Sequence, residues 1–289
     1  MMHVGIAGTG KMGSSIARNL LERGYRVSVW NRNSGPAEAL VPAGAVRCDD
    51  IPALVVSVDA VIAMLWDDAV AREISLGQII PAARSDQLVI ESSTLSPEMY
   101  QTLAQAATQR GVDFLACPVV GSIDSARAGT LTLFPGGSEV AFERARELLG
   151  ALGSTITFTG SPAASGLLKL ASNAVLGVIA DSIGELLEIT EGGGVERNLV
   201  IDTVVRAFER AGGKRQQLVD RDTEPRFSAA ALLKDLRLAK GVRERLGVEA
   251  PVMDCVLAEY ERAIASGLGD QDYIGVALAV EQTAVRSLS

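Results

Sequence analysis

Histidine, cysteine and aromatic side chains are the scarcest materials in this 289-residue chain. It holds one histidine, His3, and three cysteines, Cys48, Cys117 and Cys255, far apart and without a Cys-x-x-Cys pair. A zinc ribbon or a disulfide framework therefore has no ligand set to draw on, no metal centre is expected, and a reducing, cytoplasmic setting suits the thiols. With His3 placed where the first strand begins, acid–base chemistry falls to Lys, Asp, Glu, Tyr or Cys. Basic charge is also short: Lys+Arg 27 against Asp+Glu 35 gives a net charge of −8. Such a surface repels phosphate backbones and anionic headgroups, so neither nucleic acid nor a membrane surface is an expected partner. No apolar run reads as approaching the roughly 20 residues of a membrane span. The chain opens on a strand rather than on a Lys-rich signal segment.

Apolar residues, at 48%, are ample for a sizeable core. Short apolar runs at 3–7, 26–30, 60–65, 87–91, 113–117 and 155–158 read as strands. Helical periods lie between them. One runs over 11–23, with Met12, Ile16 and Leu20 on one face and Gly24 past its end; another opens at Ser96-Pro97-Glu98 and closes at Gly111. This alternation predicts a mostly parallel sheet covered on both faces. After about residue 160 the pattern changes. Residues 165–191 carry apolar residues without a turn, long enough for a helix of roughly 40 Å. The remainder shows helical periods only. The expected architecture is an α/β Rossmann-type domain over 1–161 and an all-α domain over 162–289, joined by a long interdomain helix.

Gly8-Thr9-Gly10-Lys11-Met12-Gly13 is a G-x-G-x-x-G directly after a predicted strand and opening a predicted helix. Each glycine has a use there: a tight turn, close backbone approach to a pyrophosphate, and packing of helix on strand. A dinucleotide site follows from motif and context together. At the end of the second strand, where an NAD site carries Asp or Glu for the ribose hydroxyls, this chain has Trp30-Asn31-Arg32-Asn33. A carboxylate would repel a 2′-phosphate, whereas Asn31 can donate to one and Arg32 can pair with it, which points to NADPH (NADP+).

Lys169 and Asn173 stand four apart in the long apolar helix and project from one face. A lysine desolvated there has a lowered pKa and can exchange a proton with a carbonyl or hydroxyl oxygen. The alternative is an ammonium reaching the surface from a buried stem.

These motifs, in this order, resemble the β-hydroxyacid dehydrogenase family. The resemblance rests on Gly8 to Gly13, Met64-Leu65, Ser93-Thr94 with Ser96-Pro97, Pro118-Val119 with Gly121 and Gly129-Thr130-Leu131, Gly166 with Lys169 and Asn173, Phe227, Lys234-Asp235-Leu236 and Gly269-Asp270. It implies a Rossmann domain followed by an all-α domain that dimerises. It implies that Thr9, Lys11, Met12, Asn33, Met64, Leu65 and Thr94 join the cofactor site, and that Lys234 reaches the cofactor from the second domain. Lys169 would be the proton donor, and Asn173 would hold substrate beside the loop containing Val120, Gly121 and Ser122.

Two positions depart from the pattern of that family. Val120 stands where a serine bonds the substrate carboxylate, with Ser122 or Ser125 as the available replacements. Trp66 stands where proline is usual, either narrowing the mouth of the cofactor site or filling a packing gap. Val29-Trp30-Asn31-Arg32 is also similar to the second-strand end of imine reductases. The leading expectation is an NADPH-dependent reductase of a small aldehyde or 2-oxo compound, interconverting it with a hydroxy acid. An imine reductase or reductive aminase is the alternative, and a non-enzymatic NADPH-binding module is a third. A homodimer through the helical domain is expected, because the long helix has more apolar surface than one small domain covers.

Overall fold

A computed structural model describes residues 2–279. Its strands are β1 (His3–Ala7), β2 (Arg26–Trp30), β3 (Val46–Arg47), β4 (Ala60–Ala63), β5 (Leu88–Glu91), β6 (Asp113–Ala116), β7 (Val119–Val120), β8 (Leu131–Leu133), β9 (Gly136–Gly137) and β10 (Gly153–Ile156). The helices among and after them are α1 (Lys11–Glu22), α2 (Ser34–Glu38), α3 (Ile51–Val56), α4 (Asp68–Ala71), α5 (Ile80–Ala82), α6 (Pro97–Gln109), α7 (Ile123–Ala128), α8 (Glu139–Leu152) and α9 (Pro162–Gly192). Then come α10 (Arg197–Gly212), α11 (Arg215–Asp220), α12 (Ala229–Leu246) and α13 (Pro251–Ala265). A π-helical stretch, Arg72–Ile79, joins α4 to α5. The chain divides into two compact units, Met1–Ala174 and Val175–Ser289, so residues 162–174 of α9 belong to the first.

The first unit is built on a sheet of order β3-β2-β1-β4-β5-β6-β9, parallel except for the β6–β9 pair. That order reverses direction between β1 and β4, which opens a crevice at their carboxyl ends. Strand side chains alternate between two cores. Ala60, Ile62, Leu88, Ile90 and Leu115 face one cluster with Ile16 and Leu20 of α1 and Leu148 and Leu149 of α8. Val61, Ala63, Val89, Phe114 and Ala116 face another, with Leu54 of α3 and Met99, Tyr100 and Leu103 of α6. Both faces being covered, the strands read as continuous apolar runs, as a buried parallel sheet requires. A three-stranded sheet, β10-β8-β7, completes this unit.

Helix α9 spans about 46 Å at ~1.5 Å per residue. Near its start Gly166 allows close approach to α6, since a Cβ there would come 3.0 Å from the Tyr100 ring and 3.3 Å from Pro97 Cα. The expectation that no apolar run reaches membrane-spanning length is corrected: among the described residues, α9 is long and apolar enough by length and composition. Its Ala, Gly and Ser residues interrupt the large apolar side chains while keeping its polarity low. Leu167, Leu170, Val175, Leu176 and Val178 are exposed along it.

In the second unit α12 packs on α13. Glu185 of α9 accepts from the first backbone N–H groups of α13, Val252 at 2.7 Å and Met253 at 2.9 Å, a carboxylate at the positive end of a helix. Asp272, fully buried, accepts from Lys214 Nζ at 2.9 Å and from the backbone N–H groups of Arg226, Phe227 and Ile274. Burial alone would raise its pKa, but these donors hold it below the usual carboxylate value.

Candidate active site

The register puts Trp30, Ala7, Ala63, Glu91 and Ala116 at one level across the sheet. The residues that follow them form the rim of the crevice. Gly8 N–H donates to Trp30 O, Met64 N–H to Ala7 O and Ser92 N–H to Ala63 O, so each strand end is tied to its neighbour. A cavity of about 760 Å³ opens along this rim. Among the residues expected from sequence it is lined by Gly8, Gly10, Lys11, Met12, Asn31, Arg32, Met64, Leu65, Trp66, Thr94, Gly121 and Lys169. Trp30, Val70, Ile74, Ser92 and Val119 line it too, without having been anticipated.

The glycines divide by purpose. Gly8 has φ +100°, and a Cβ there would lie 2.2 Å from Met64 O; a Cβ on Gly13 would lie 2.0 Å from Gly8 O. These two are demanded by the fold. Gly10 is not, because a Cβ there would meet nothing within 4 Å and its φ is −63°. Its missing side chain leaves space over the N-terminus of α1, which no side chain caps. Beside it Thr9 is buried with its Oγ1 lacking a hydrogen-bond partner. An open backbone cradle, an uncapped helix start and an orphaned hydroxyl together fit a dinucleotide diphosphate.

Asn31 braces the loop: its Oδ1 accepts from Thr9 N–H at 2.9 Å and its Nδ2 donates to Asn33 O at 2.9 Å. Asn33 itself does not line the cavity. Arg32 is exposed and paired through Nη2 with Glu73 Oε2 at 2.6 Å. Trp66 is 86% exposed at the cavity wall, so it fills no packing gap.

Beneath the wall lies a polar cluster that the sequence did not reveal. Glu91 is completely buried and accepts from Ser75 Oγ at 2.5 Å, from Ser93 N–H at 3.2 Å and from the Ser93 hydroxyl. Ser93 Oγ in turn accepts from Leu65 N–H at 2.6 Å, and the Tyr100 hydroxyl donates to Ser93 O. Burial pushes the Glu91 carboxyl up to about 7, against the pull of its serine donors.

Lys169 is 9% exposed and lines the cavity, and its Nζ donates to Asn173 Oδ1 at 3.0 Å. Desolvation lowers its pKa. The snorkelling alternative is therefore set aside. The substrate-loop residues fall differently. Val120 is half-buried at the end of β7, while Ser122 caps α7, accepting from Ser125 N–H at 3.1 Å and lying 3.2 Å from Ser125 Oγ. Both serine hydroxyls are thus engaged locally. Lys234, in the second unit, pairs with Asp235 at 3.1 Å on an exposed stretch of α12. That unit also holds a cavity of about 1150 Å³ whose walls include Phe208, Lys214, Gln217, Phe227 and Tyr273. Among the described residues no group of three or more His, Cys, Asp or Glu side chains is placed to hold a metal ion.

Known proteins share this fold and domain order. Residues 3–160 match the family model described as the NAD binding domain of 6-phosphogluconate dehydrogenase. Residues 163–279 match the one described as NAD-binding of NADP-dependent 3-hydroxyisobutyrate dehydrogenase. The chain is 29% identical to the uncharacterized oxidoreductase YfjR of Bacillus subtilis, over 94% of this chain and 97% of that one. It is 27% identical to glyoxylate/succinic semialdehyde reductase 1 of Arabidopsis thaliana, over 97% and 99%. Among solved structures, an imine reductase from Pseudomonas sp. shares the fold at TM-score 0.88 and 20% identity, covering 96% of this chain and 99% of that one.

Proposed function

Since this chain belongs to the β-hydroxyacid dehydrogenase family of NAD(P)-dependent oxidoreductases, we propose that it reduces a small aldehyde or 2-oxo compound with NADPH, with Lys169 as the proton donor. The observation that carries this reading is a buried lysine facing the cofactor cavity and bonded to a neutral amide. When bound, the dihydronicotinamide supplies a hydride to the carbonyl carbon. Lys169 Nζ gives a proton to the carbonyl oxygen and stabilises the charge developing there. Asn173 fixes the ammonium through Oδ1, and its Nδ2 remains to donate to substrate. Desolvation of Lys169 brings its acidity nearer to what a proton donor at neutral pH needs. Gly10, Thr9 and the start of α1 would hold the diphosphate, and Arg32 the 2′-phosphate.

A second reading, reduction of an imine, is favoured by one feature: Val120 offers methyl groups where a serine would bond a carboxylate, and Ser122 is occupied with capping α7. An iminium carbon gains nothing from a neighbouring ammonium, so Lys169 argues for the carbonyl. The test is NADPH oxidation with glyoxylate and succinic semialdehyde on one side, and a cyclic imine or a ketone with an amine on the other, each repeated with NADH. Turnover of the carbonyl acids, lost by roughly 100-fold or more in Lys169→Ala, supports the proposal; turnover of imines alone overturns it.

The working unit is a homodimer. Its support is the exposed apolar side chains that α9 carries within the second unit, Val175, Leu176 and Val178, which a second copy would cover. Light scattering should return twice the chain mass.

A further inference from the structure

Glu73 belongs to the π-helical stretch; Ile74 next to it and Val70 in α4 line the cofactor cavity, and the Glu73 carboxylate lies 2.6 Å from Arg32 Nη2. Both side chains are more than half exposed, 57% for Arg32 and 58% for Glu73, so the pair contributes little to the fold. What it does is occupy the guanidinium that the cofactor's adenosine end would need. We propose that Glu73 is a positioning residue that sets cofactor selectivity: it holds Arg32 in the free protein and opposes the 2′-phosphate of NADPH, leaving NADH binding untouched. This inference rests on the reading that Arg32 meets the 2′-phosphate.

Two effects of opposite sign compete. Holding Arg32 in place would pre-organise it, but an exposed pair is worth at most about fivefold in an equilibrium constant. Against that, a carboxylate sharing one guanidinium with a phosphate dianion repels it, an effect on the order of several-fold to tenfold in water at low salt, and pairing also neutralises the guanidinium. Opposition therefore wins, and most clearly at low ionic strength.

The experiment is titration of NADP+ and NAD+, by quenching of tryptophan fluorescence or by calorimetry, into wild type, Glu73→Gln, Arg32→Ala and the double variant, at about 10 mM and about 200 mM salt. Glu73→Gln should tighten NADP+ by roughly threefold to tenfold at low salt and less at high salt, with NAD+ unchanged. In the Arg32→Ala background the gain should shrink, since no guanidinium is left to release. If Arg32→Ala weakens NADP+ selectively but Glu73→Gln does not tighten it, or tightens both nucleotides alike, the Glu73 inference alone is overturned. If Arg32→Ala leaves the NADP+/NAD+ ratio unchanged, the reading beneath it fails as well.

Discussion

Glu91 is a carboxyl with no solvent and no cation beside it, and replacing it should stabilise the protein in a pH-dependent way. The perturbation is Glu91→Gln, which keeps the shape. Its amide oxygen can accept from the Ser93 hydroxyl and N–H, as Glu91 Oε1 does, and its NH2 can donate to Ser75 Oγ. The native carboxyl titrates at about 7 against an ordinary 4.5. At about 1.4 kcal/mol per tenfold change in proton affinity, that difference corresponds to about 3 kcal/mol. Below about pH 4.5 the group is protonated both folded and unfolded and contributes nothing. Between about 4.5 and 7 the unfolded chain releases its proton and the native one does not, so stability falls as pH rises; above about 7 the deficit is constant. Glu91→Gln should match wild type near pH 4.5 and exceed it at pH 8.5 by up to about 3 kcal/mol. For a unit of this size that is roughly 6–12 °C in the unfolding midpoint. Thermal unfolding followed by circular dichroism at both pH values measures it. A variant that is less stable than wild type at pH 8.5, or shifted equally at both, would refute the argument, because it would mean that Glu91 is held ionised.

Further outcomes follow from other parts of the molecule. Gly10→Ala should cost no more than about 1 kcal/mol of stability yet weaken nucleotide binding at least tenfold, whereas Gly13→Ala should unfold or severely destabilise the first unit, because its Cβ would meet Gly8 O at 2.0 Å; melting curves paired with nucleotide titrations separate the two. For Lys169, whose pKa desolvation lowers, kcat/KM for reduction should fall as pH rises through that pKa, the reverse oxidation should rise over the same limb, and Lys169→Ala should lose the limb in a pH–rate profile. Asp272→Asn should destabilise the second unit by about 3–5 kcal/mol by stranding Lys214, seen as a lower denaturation midpoint.

Much of the first unit was legible because a buried parallel sheet writes itself as apolar runs separated by helical periods, and the glycine motif fell where a strand gives way to a helix. Boundaries moved by a few residues: the run over 60–65 ends as a strand at Ala63, since Met64 and Leu65 turn out onto the rim. Strands of two or three residues, β3, β7, β8 and β9, have too few positions to show a period of two, and none was anticipated. The π-helical stretch escaped for a related reason, as its residue spacing fits neither a strand nor an α-helix. Glu91 was hidden by its type: a carboxylate at the end of an apolar run reads as the point where a strand reaches water, since such groups are almost never fully buried unless paired. Only the serines at 75 and 93, brought in by separate segments, make its burial tolerable. Ser122 had a legible signal that was put to another use, because a serine opening a short helix is an N-cap.

The positions lining the crevice are fixed by bonds between neighbouring strand ends, and this explains how a rim made of loops can serve as a site. Asn31, after β2, accepts from Thr9, after β1; Ser93, after β5, accepts from Leu65, after β4; Tyr100, from α6, donates to Ser93 O. The first two bonds join segments that the parallel register has already brought level, and the third ties α6 to the loop after β5, so little further ordering is needed when a ligand arrives. The conformational cost falls on folding rather than on binding, which raises affinity without adding a single contact to the cofactor. The same logic places the selectivity of the site elsewhere. Gly10 and Thr9 would meet features common to both nicotinamide dinucleotides, and the bond from Thr9 N–H to Asn31 Oδ1 braces that part. On the proposed reading Arg32 and Glu73 would meet the end at which the two cofactors differ, and both are exposed, mutually paired side chains. On that reading dinucleotide binding would rest on the backbone, and the choice between NADPH and NADH would fall to two exposed charges.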